Sequence, residues 1–320
     1  MTTIKNKFLS TSTVGIIPVA FTDGQPRKGV EKGPSHLLEA GLVQQIQELG
    51  YNVEFDGKIH NFEEIRPQSD PDVGVAKNPR FVGAVAEQVN LKVAEELKKG
   101  HFALTLGGDH SIGLGTTTGT LDVFPDACVI WVDAHADING VDDTETGNLH
   151  GCPLSWAVGV SRVIEGFEWI LKSQKQPRLN PNSLVYIGLR DVDKAERRIL
   201  KEHNIKAFSM HEVDKYGIGK VVDMALDHVN PDRNRPIHLS YDVDALDPSI
   251  IPATGTPVRG GLTFREGHYI CEALYETGLV VAMDCVEVNP DLSYKKEDLE
   301  ITVKTACSLI RAALGEGLLN

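Results

Sequence analysis

The stretch CVIWVDAHAD, residues 128–137, decides how the fold is read. An apolar run from Cys128 to Val132 leads straight into acid and imidazole at Asp133, His135 and Asp137. Apolar runs that do not alternate belong to strands buried on both faces, as in parallel sheets covered by helices. The same pattern returns in FALTLGGDHS (102–111), IHLSYDVD (237–244) and VVAMDCVEVN (280–289), which end on Asp109 and His110, on Asp242 and Asp244, and on Glu287. TVGIIPVAF (13–21) and SLVYIGLR (183–190) supply two more runs. Helical spacing of apolar residues fills the segments from Val82 to Lys99, Ala195 to His203 and Gly219 to Asn230. Strand and helix in alternation predict an α/β fold with three layers, a parallel sheet between two sets of helices. No linker rich in Pro, Ser or Gly interrupts the rhythm, so residues 1–320 read as a single domain without internal repeats.

Composition narrows the function. With 41% hydrophobic and 24% charged residues, the 320-residue chain has an ordinary globular mixture. Its 45 acidic and 32 basic side chains leave a formal charge of -13, which repels a phosphate backbone and favours small-molecule chemistry over nucleic acid or acidic lipid. The five cysteines, Cys128, Cys152, Cys271, Cys285 and Cys307, are scattered without C-x-x-C spacing, so a reducing compartment is expected. Ser10 to Thr13 break the only segment that could resemble a signal-peptide core, and no apolar run approaches the ~18 residues of a membrane span. A cytoplasmic location without membrane partners is therefore expected.

Ligands of open parallel sheets bind beyond the carboxyl ends of the strands. Four strand ends carry acid or imidazole towards that edge. If the strand conformation persisted through DAHAD, its spacing of two would set Asp133, His135 and Asp137 on one side, with Asp242 and Asp244 as a matching pair. Clustered carboxylates need protons or cations to be tolerated. Two divalent metals resolve that conflict, and a carboxylate-rich set with one imidazole per ion favours Mn²⁺ while leaving Co²⁺, Fe²⁺ and Zn²⁺ open. Each motif alone could be a turn or a cap. Six ligands on three strand ends form a stronger signal.

The remaining histidines, His36, His60, His101, His203, His211, His228, His238 and His268, have no partner spacing and read as surface or packing residues in polar or helical surroundings. GLGTTTGT (113–120) lacks the lysine of a phosphate loop and reads as a helix start close to the sheet. There is no G-x-S-x-G elbow and no cysteine in a nucleophile motif.

Taken together, GGDHS, DAHAD and SYDVDALDP resemble the metal-binding signatures of the ureohydrolase superfamily, and of its arginase family most closely. GQPRKGVEKGP, TGNLHG, IGLRDVD, PATGTPVRGGLTFREG and VEVNP extend the likeness from about Val14 to Val303. The resemblance implies an eight-stranded, mainly parallel sheet and assembly into homotrimers or homohexamers, with Asp214, Arg265 and Glu266 near the subunit contacts. It implies two Mn²⁺ ions, one held by His110, Asp133, Asp137 and Asp242, the other by Asp133, His135, Asp242 and Asp244. A hydroxide bridging the metals would attack the guanidinium carbon of L-arginine and release L-ornithine and urea.

By the same resemblance, the catalytic residues are His150 as proton shuttle, Asp137 as orienter of the nucleophile and Glu287 as partner of the guanidinium. Asn139 and Thr146 would contact the α-carboxylate and Asp193, supported by Glu196, the α-ammonium; Asn148, His150, Thr256 and Glu287 complete the substrate contacts. The chain departs from the family pattern at Thr146 for Ser, Gly140 for Thr and Lys194 for Pro. An agmatinase, whose substrate has no carboxylate, and a scaffold without catalysis are the rival readings.

Overall fold

The computed structural model describes residues 4–172 and 176–317. Eight strands form one sheet: β1 (Thr13–Pro18), β2 (Asn52–Glu54), β3 (Phe102–Leu106), β4 (Cys128–Val132), β5 (Leu184–Leu189), β6 (Lys206–Ser209), β7 (Ile237–Asp242) and β8 (Val280–Val286). The helices are α1 (Gly33–Glu39), α2 (Leu42–Glu48), α3 (Pro79–Lys98), α4 (Gly113–Val123), α5 (Pro153–Ala157), α6 (Lys194–Glu202), α7 (Met210–Tyr216), α8 (Ile218–Val229), α9 (Phe264–Glu276) and α10 (Lys296–Ala313). Strand order is β2-β1-β3-β8-β7-β4-β5-β6, and every described strand pairing in the sheet is parallel.

The core divides along the sheet. One side packs residues of α1, α2, α7, α8, α9 and α10 against Ile130, Leu239 and Tyr241, and the other packs α3, α4, α5 and α6 against Val129, Trp131 and Tyr186. Alternate residues of one strand thus enter opposite halves of the core, which is why both must be apolar. The sandwich α/β/α is the expected fold. The six long apolar runs are β1, β3, β4, β5, β7 and β8. The two strands without such a run, β2 and β6, are the sheet edges, where one flank is open to solvent and Asn52, Glu54 and Lys206 are exposed.

Helix ends follow local chemistry. Pro79 opens α3 at a position whose N–H has no intrahelical partner anyway. Asp193, Ser209 and Thr263 each form a capping box with the glutamate three residues on. Helix α4 forms from GLGTTTGTLDV despite its glycines because those glycines are needed against α3. A Cβ on Gly115 would run into the carbonyl of Ala86, and one on Gly119 would sit 2.6 Å from that of Asn90. No described helix is long and apolar enough to cross a membrane.

Candidate metal centre

The central strands β3, β8, β7 and β4 are neighbours, and the polar residues after all four meet beyond their carboxyl ends. The mechanism is not continued strand geometry. Strand β4 stops at Val132, and Asp137 adopts a left-handed φ of 48°, so the expected same-side alternation through DAHAD does not hold. Asp tolerates that conformation better than most side chains. The bend is held by the Tyr186 hydroxyl donating to the Ala136 carbonyl at 2.7 Å and by Leu154 N–H donating to the Asp137 carbonyl at 3.1 Å. Asp242 ends β7 and Asp244 lies in the 3-10 turn that follows. Arg190, just after β5, clamps that turn by donating to the carbonyls of Asp244, Ala245 and Leu246.

All six residues expected as metal ligands converge. Nδ1 of His110 lies 3.1 Å from Asp133, 3.0 Å from Asp137 and 3.3 Å from Asp242, each time at Oδ2. Nδ1 of His135 lies 3.4 Å from Oδ1 of Asp133 and 3.2 Å from Oδ2 of Asp244. Asp133 therefore turns one oxygen to each imidazole. Oδ2 of Asp242 faces His110, while its Oδ1 accepts the N–H of Asp244. Two overlapping donor sets result, His110, Asp133 and Asp137 beside Asp133, His135 and Asp244.

Two observations fit this set to cations. Nδ1 of His110 is fully buried, and although three carboxylates surround it, none meets it with hydrogen-bond geometry. Such an atom is oriented for a ligand rather than for a neighbouring side chain. Charge gives the second observation. Burial pushes Asp242 well above the usual carboxylate range, with the charges of Asp244 and Asp133 adding to it, and burial and Asp133 together push Asp137 up to about 6. Asp244 is raised mainly by burial. Burial also opposes charge on Asp133, His110 and His135, but there the ion pairs win: Asp133 falls below its ordinary range, and both imidazoles rise well above theirs. The cluster has more acid than base and calls for added positive charge. A third acid and histidine group, Glu54, Glu96 and His101, differs because Lys99 already lies 2.9 Å from Glu54 and 2.7 Å from Glu96.

Residues 12–315 match the profile of the arginase family. The arginase of Glaciozyma antarctica is 54% identical over 325 residues, covering 100% of this chain and 92% of that one. The chain belongs to the arginase family. Among solved structures, the native arginase of Bacillus caldovelox superposes with a TM-score of 0.84 at 35% identity, covering 96% of this chain and 99% of that one. The Entamoeba histolytica arginase, solved in complex with L-ornithine, superposes with a TM-score of 0.83 at 28% identity, covering 97% of this chain and 100% of that one. As a member of the arginase family this chain is a hydrolase.

Of the other residues singled out by the arginase-family resemblance, Glu287 and Thr256 bond to the cluster and His150 lies against Glu287. Glu287, after β8, has φ 65° and accepts the N–H of His110 on Oε1 at 2.8 Å. His150 lies in the 3-10 turn Leu149–Gly151, its N–H donating to Gly24 and its Nδ1 3.4 Å from Oε1 of Glu287. Burial pulls the His150 imidazole down, but Glu287, with the charges of Asp137 and Asp109 adding to it, outweighs burial and raises it to about 8. Nδ2 of Asn139 donates to Oδ2 of Asp193 at 2.7 Å, while Oδ1 of Asp193 caps α6 and Glu196 accepts the Asp193 N–H at 3.1 Å. Thr146 is exposed and Asn148 half-buried on the loop before His150. The Thr256 hydroxyl donates to Oδ2 of Asp244 at 2.9 Å and so holds that carboxylate in place.

Sequence reasoning assigned no role to several residues that build this arginase-family site. Asp109 accepts Gly24 N–H at 2.8 Å, which positions the carbonyl that holds His150. Trp131 stacks on His110 with centroids 4.1 Å apart and donates to Asp133 at 2.9 Å. His238 does not lie in polar or helical surroundings but in the buried strand β7, bonded to Asp284. A polar residue inside an apolar strand was the available signal, in IHLSYD and again in VVAMDCV.

Proposed function

We propose that the protein is a binuclear manganese arginase that hydrolyses L-arginine to L-ornithine and urea, with residues 1–320 acting as one catalytic domain. Asp133, with one oxygen towards each imidazole, carries this reading. His110, Asp133, Asp137 and Asp242 would hold one ion, and Asp133, His135, Asp242 and Asp244 the other. When bound, two Mn²⁺ ions supply the Lewis acidity that makes water a nucleophile at neutral pH.

The protein's own side chains then have distinct tasks. Glu287 is fixed by the His110 amide and offers a carboxylate to the planar guanidinium, where charge-assisted, bidentate pairing is strong. Asp137, close to His110 at the centre of the cluster, orients the attacking water by accepting its hydrogen bond. His150 is protonated at neutral pH and delivers the proton that lets the ornithine amine leave. At the far end, Oδ2 of Asp193, supported by Glu196, suits an α-ammonium, while Asn139, whose Nδ2 has a second hydrogen to donate, and the Thr146 hydroxyl, with Asn148 at the rim, suit an α-carboxylate. A formal charge of -13 favours approach of a cationic substrate.

We also place the enzyme in the cytoplasm as a homotrimer or homohexamer. The exposed aromatics Tyr216, Phe264 and Tyr269 on α7 and α9, near Asp214, Arg265 and Glu266, support self-association. Light scattering of the Mn²⁺-loaded protein measures the subunit number.

The function is tested by urea release from L-arginine and from agmatine, with and without Mn²⁺. The proposal expects L-arginine to be strongly preferred and activity to require metal. Preference for agmatine would reassign the substrate, and absence of urea from both would support the scaffold reading.

A further inference from the structure

The stretch GLGTTTGT and the acid in the middle of β8 have no part in the chemistry so far, and they meet beneath the metal centre. Asp284 has no solvent exposure. Its Oδ1 accepts from Nε2 of His238 at 2.7 Å and from the Thr116 hydroxyl at 2.9 Å, and its Oδ2 accepts from the Ser240 hydroxyl at 2.6 Å. Nδ1 of His238 lies 2.8 Å from the hydroxyl of Thr120. Thr116 and Thr120 are one turn apart and share a face of α4, while Gly115 and Gly119 let that helix press against α3. His238, Ser240 and Asp242 alternate along β7 and project to the same side of the sheet.

Stability alone is a poor reason to keep a charge here, because well-packed apolar replacements of buried ion pairs are often neutral or stabilising. The direction of the hydrogen bonds supplies another reason. The Asp284 carboxylate only accepts, so Ser240 must give it the hydroxyl hydrogen. The lone pairs of Ser240 are then left for Nε2–H of His110, 2.8 Å away. With one proton fixed on Nε2, the proton that His110 gives up on binding a metal is the one on Nδ1, which frees the lone pair of the buried atom that no hydrogen bond satisfies and that three carboxylates surround. We propose that Asp284, held by His238 and the threonine face of α4, is a positioning residue that sets the hydrogen-bond direction through Ser240 and so makes Nδ1 of His110 a metal ligand. The proposal rests on the binuclear reading above and extends it to residues that touch neither ion nor substrate.

Asp284→Asn tests it. The variant's amide oxygen must keep the Oδ1 place, where two donors converge, which turns its NH₂ towards Ser240. Ser240 then accepts from the amide and donates to Nε2, forcing the His110 proton onto Nδ1. In a titration of metal-stripped protein followed by the electron paramagnetic resonance of free Mn²⁺, the wild type is expected to take up two ions per chain. The variant should keep one with wild-type affinity and bind the other about 10- to 100-fold more weakly. In a Ser240→Ala background the relay is already cut, so adding Asp284→Asn should change Mn²⁺ affinity less than about twofold. Two ions bound with wild-type affinity in Asp284→Asn would overturn the proposal, as would an equal loss in both backgrounds, the mark of a merely structural role. Should Asp284→Asn fail to fold, Ser240→Ala alone carries the test: weakening of one ion is expected, and two ions at wild-type affinity would overturn the relay. A wild type that binds fewer than two ions would instead refute the binuclear reading.

Discussion

Nδ1 of His150 stands 3.4 Å from Oε1 of Glu287, an oxygen that also accepts the N–H of His110 at 2.8 Å. One carboxylate thus joins the imidazole proposed to carry the proton to the turn that bears His110, a proposed metal ligand. His150→Asn is expected to lower kcat by about 10²- to 10⁴-fold with bound Mn²⁺ unchanged. The protonated form of His150 is lost as pH rises through about 8, so the pH dependence of the rate near that value should vanish in the variant. In metal-free protein the pair stabilises the fold fully below 6.5 and fades as pH rises through about 8, because the folded state holds the proton more tightly. Rate profiles and metal analysis check this, and loss of metal in His150→Asn would show that the residue is misassigned.

Asp133 and Asp242 sit between charges that neither imidazole alone can neutralise. Asp133→Asn or Asp242→Asn removes one negative charge from the donor set and should nearly abolish both urea release and metal retention. Mass-spectrometric metal content of the purified variants is the direct readout. Wild-type activity in either would remove that residue from the centre.

Asp193 has two tasks, a cap for α6 and an acceptor beside Asn139. Asn caps about as well as Asp, so Asp193→Asn separates them. The melting temperature should stay near wild type while KM for L-arginine rises about 10- to 100-fold, the range expected for one hydrogen bond to a charged group. Asp193→Ala should show the same KM change plus a loss of about 1 kcal/mol of stability.

Metal uptake should consume no proton and release several. His110 and His135 hold protons well above their ordinary range in the metal-free cluster, and these must leave before the ring nitrogens can bind an ion. Mn²⁺ affinity is therefore expected to rise with pH. Calorimetric titrations in two buffers of different ionisation enthalpy would measure the released protons, and a pH-independent affinity would contradict the ligand assignment.

Gly119→Ala replaces a poor helix former with the best one and should nevertheless destabilise the protein by about 1–3 kcal/mol, because the new methyl meets the Asn90 carbonyl at the α3–α4 contact. Thermal melting measures it.

The sequence displays the central strands and the acid and imidazole cluster because both depend on local signals. Continuous apolar runs mark β3, β4, β7 and β8, and acids at their ends stand out against them. What it hides depends on pairing. Strands β2 and β6 are short, with one and two apolar residues, and are defined by hydrogen bonds to a neighbour, so no periodicity reveals them. The bend at Asp137 requires Tyr186 and Leu154 from distant segments, which is why alternation was the wrong route to a correct convergence. His238 and Asp284 are 46 positions apart and become meaningful only when β7 and β8 lie side by side.

The central claim, two manganese ions in one arginine-hydrolysing site, is tested most directly by titrating Mn²⁺ into stripped protein while recording bound metal and urea release together. Full activity on L-arginine should coincide with occupancy by two ions per chain. Full activity at one ion per chain, or with none bound, would contradict it.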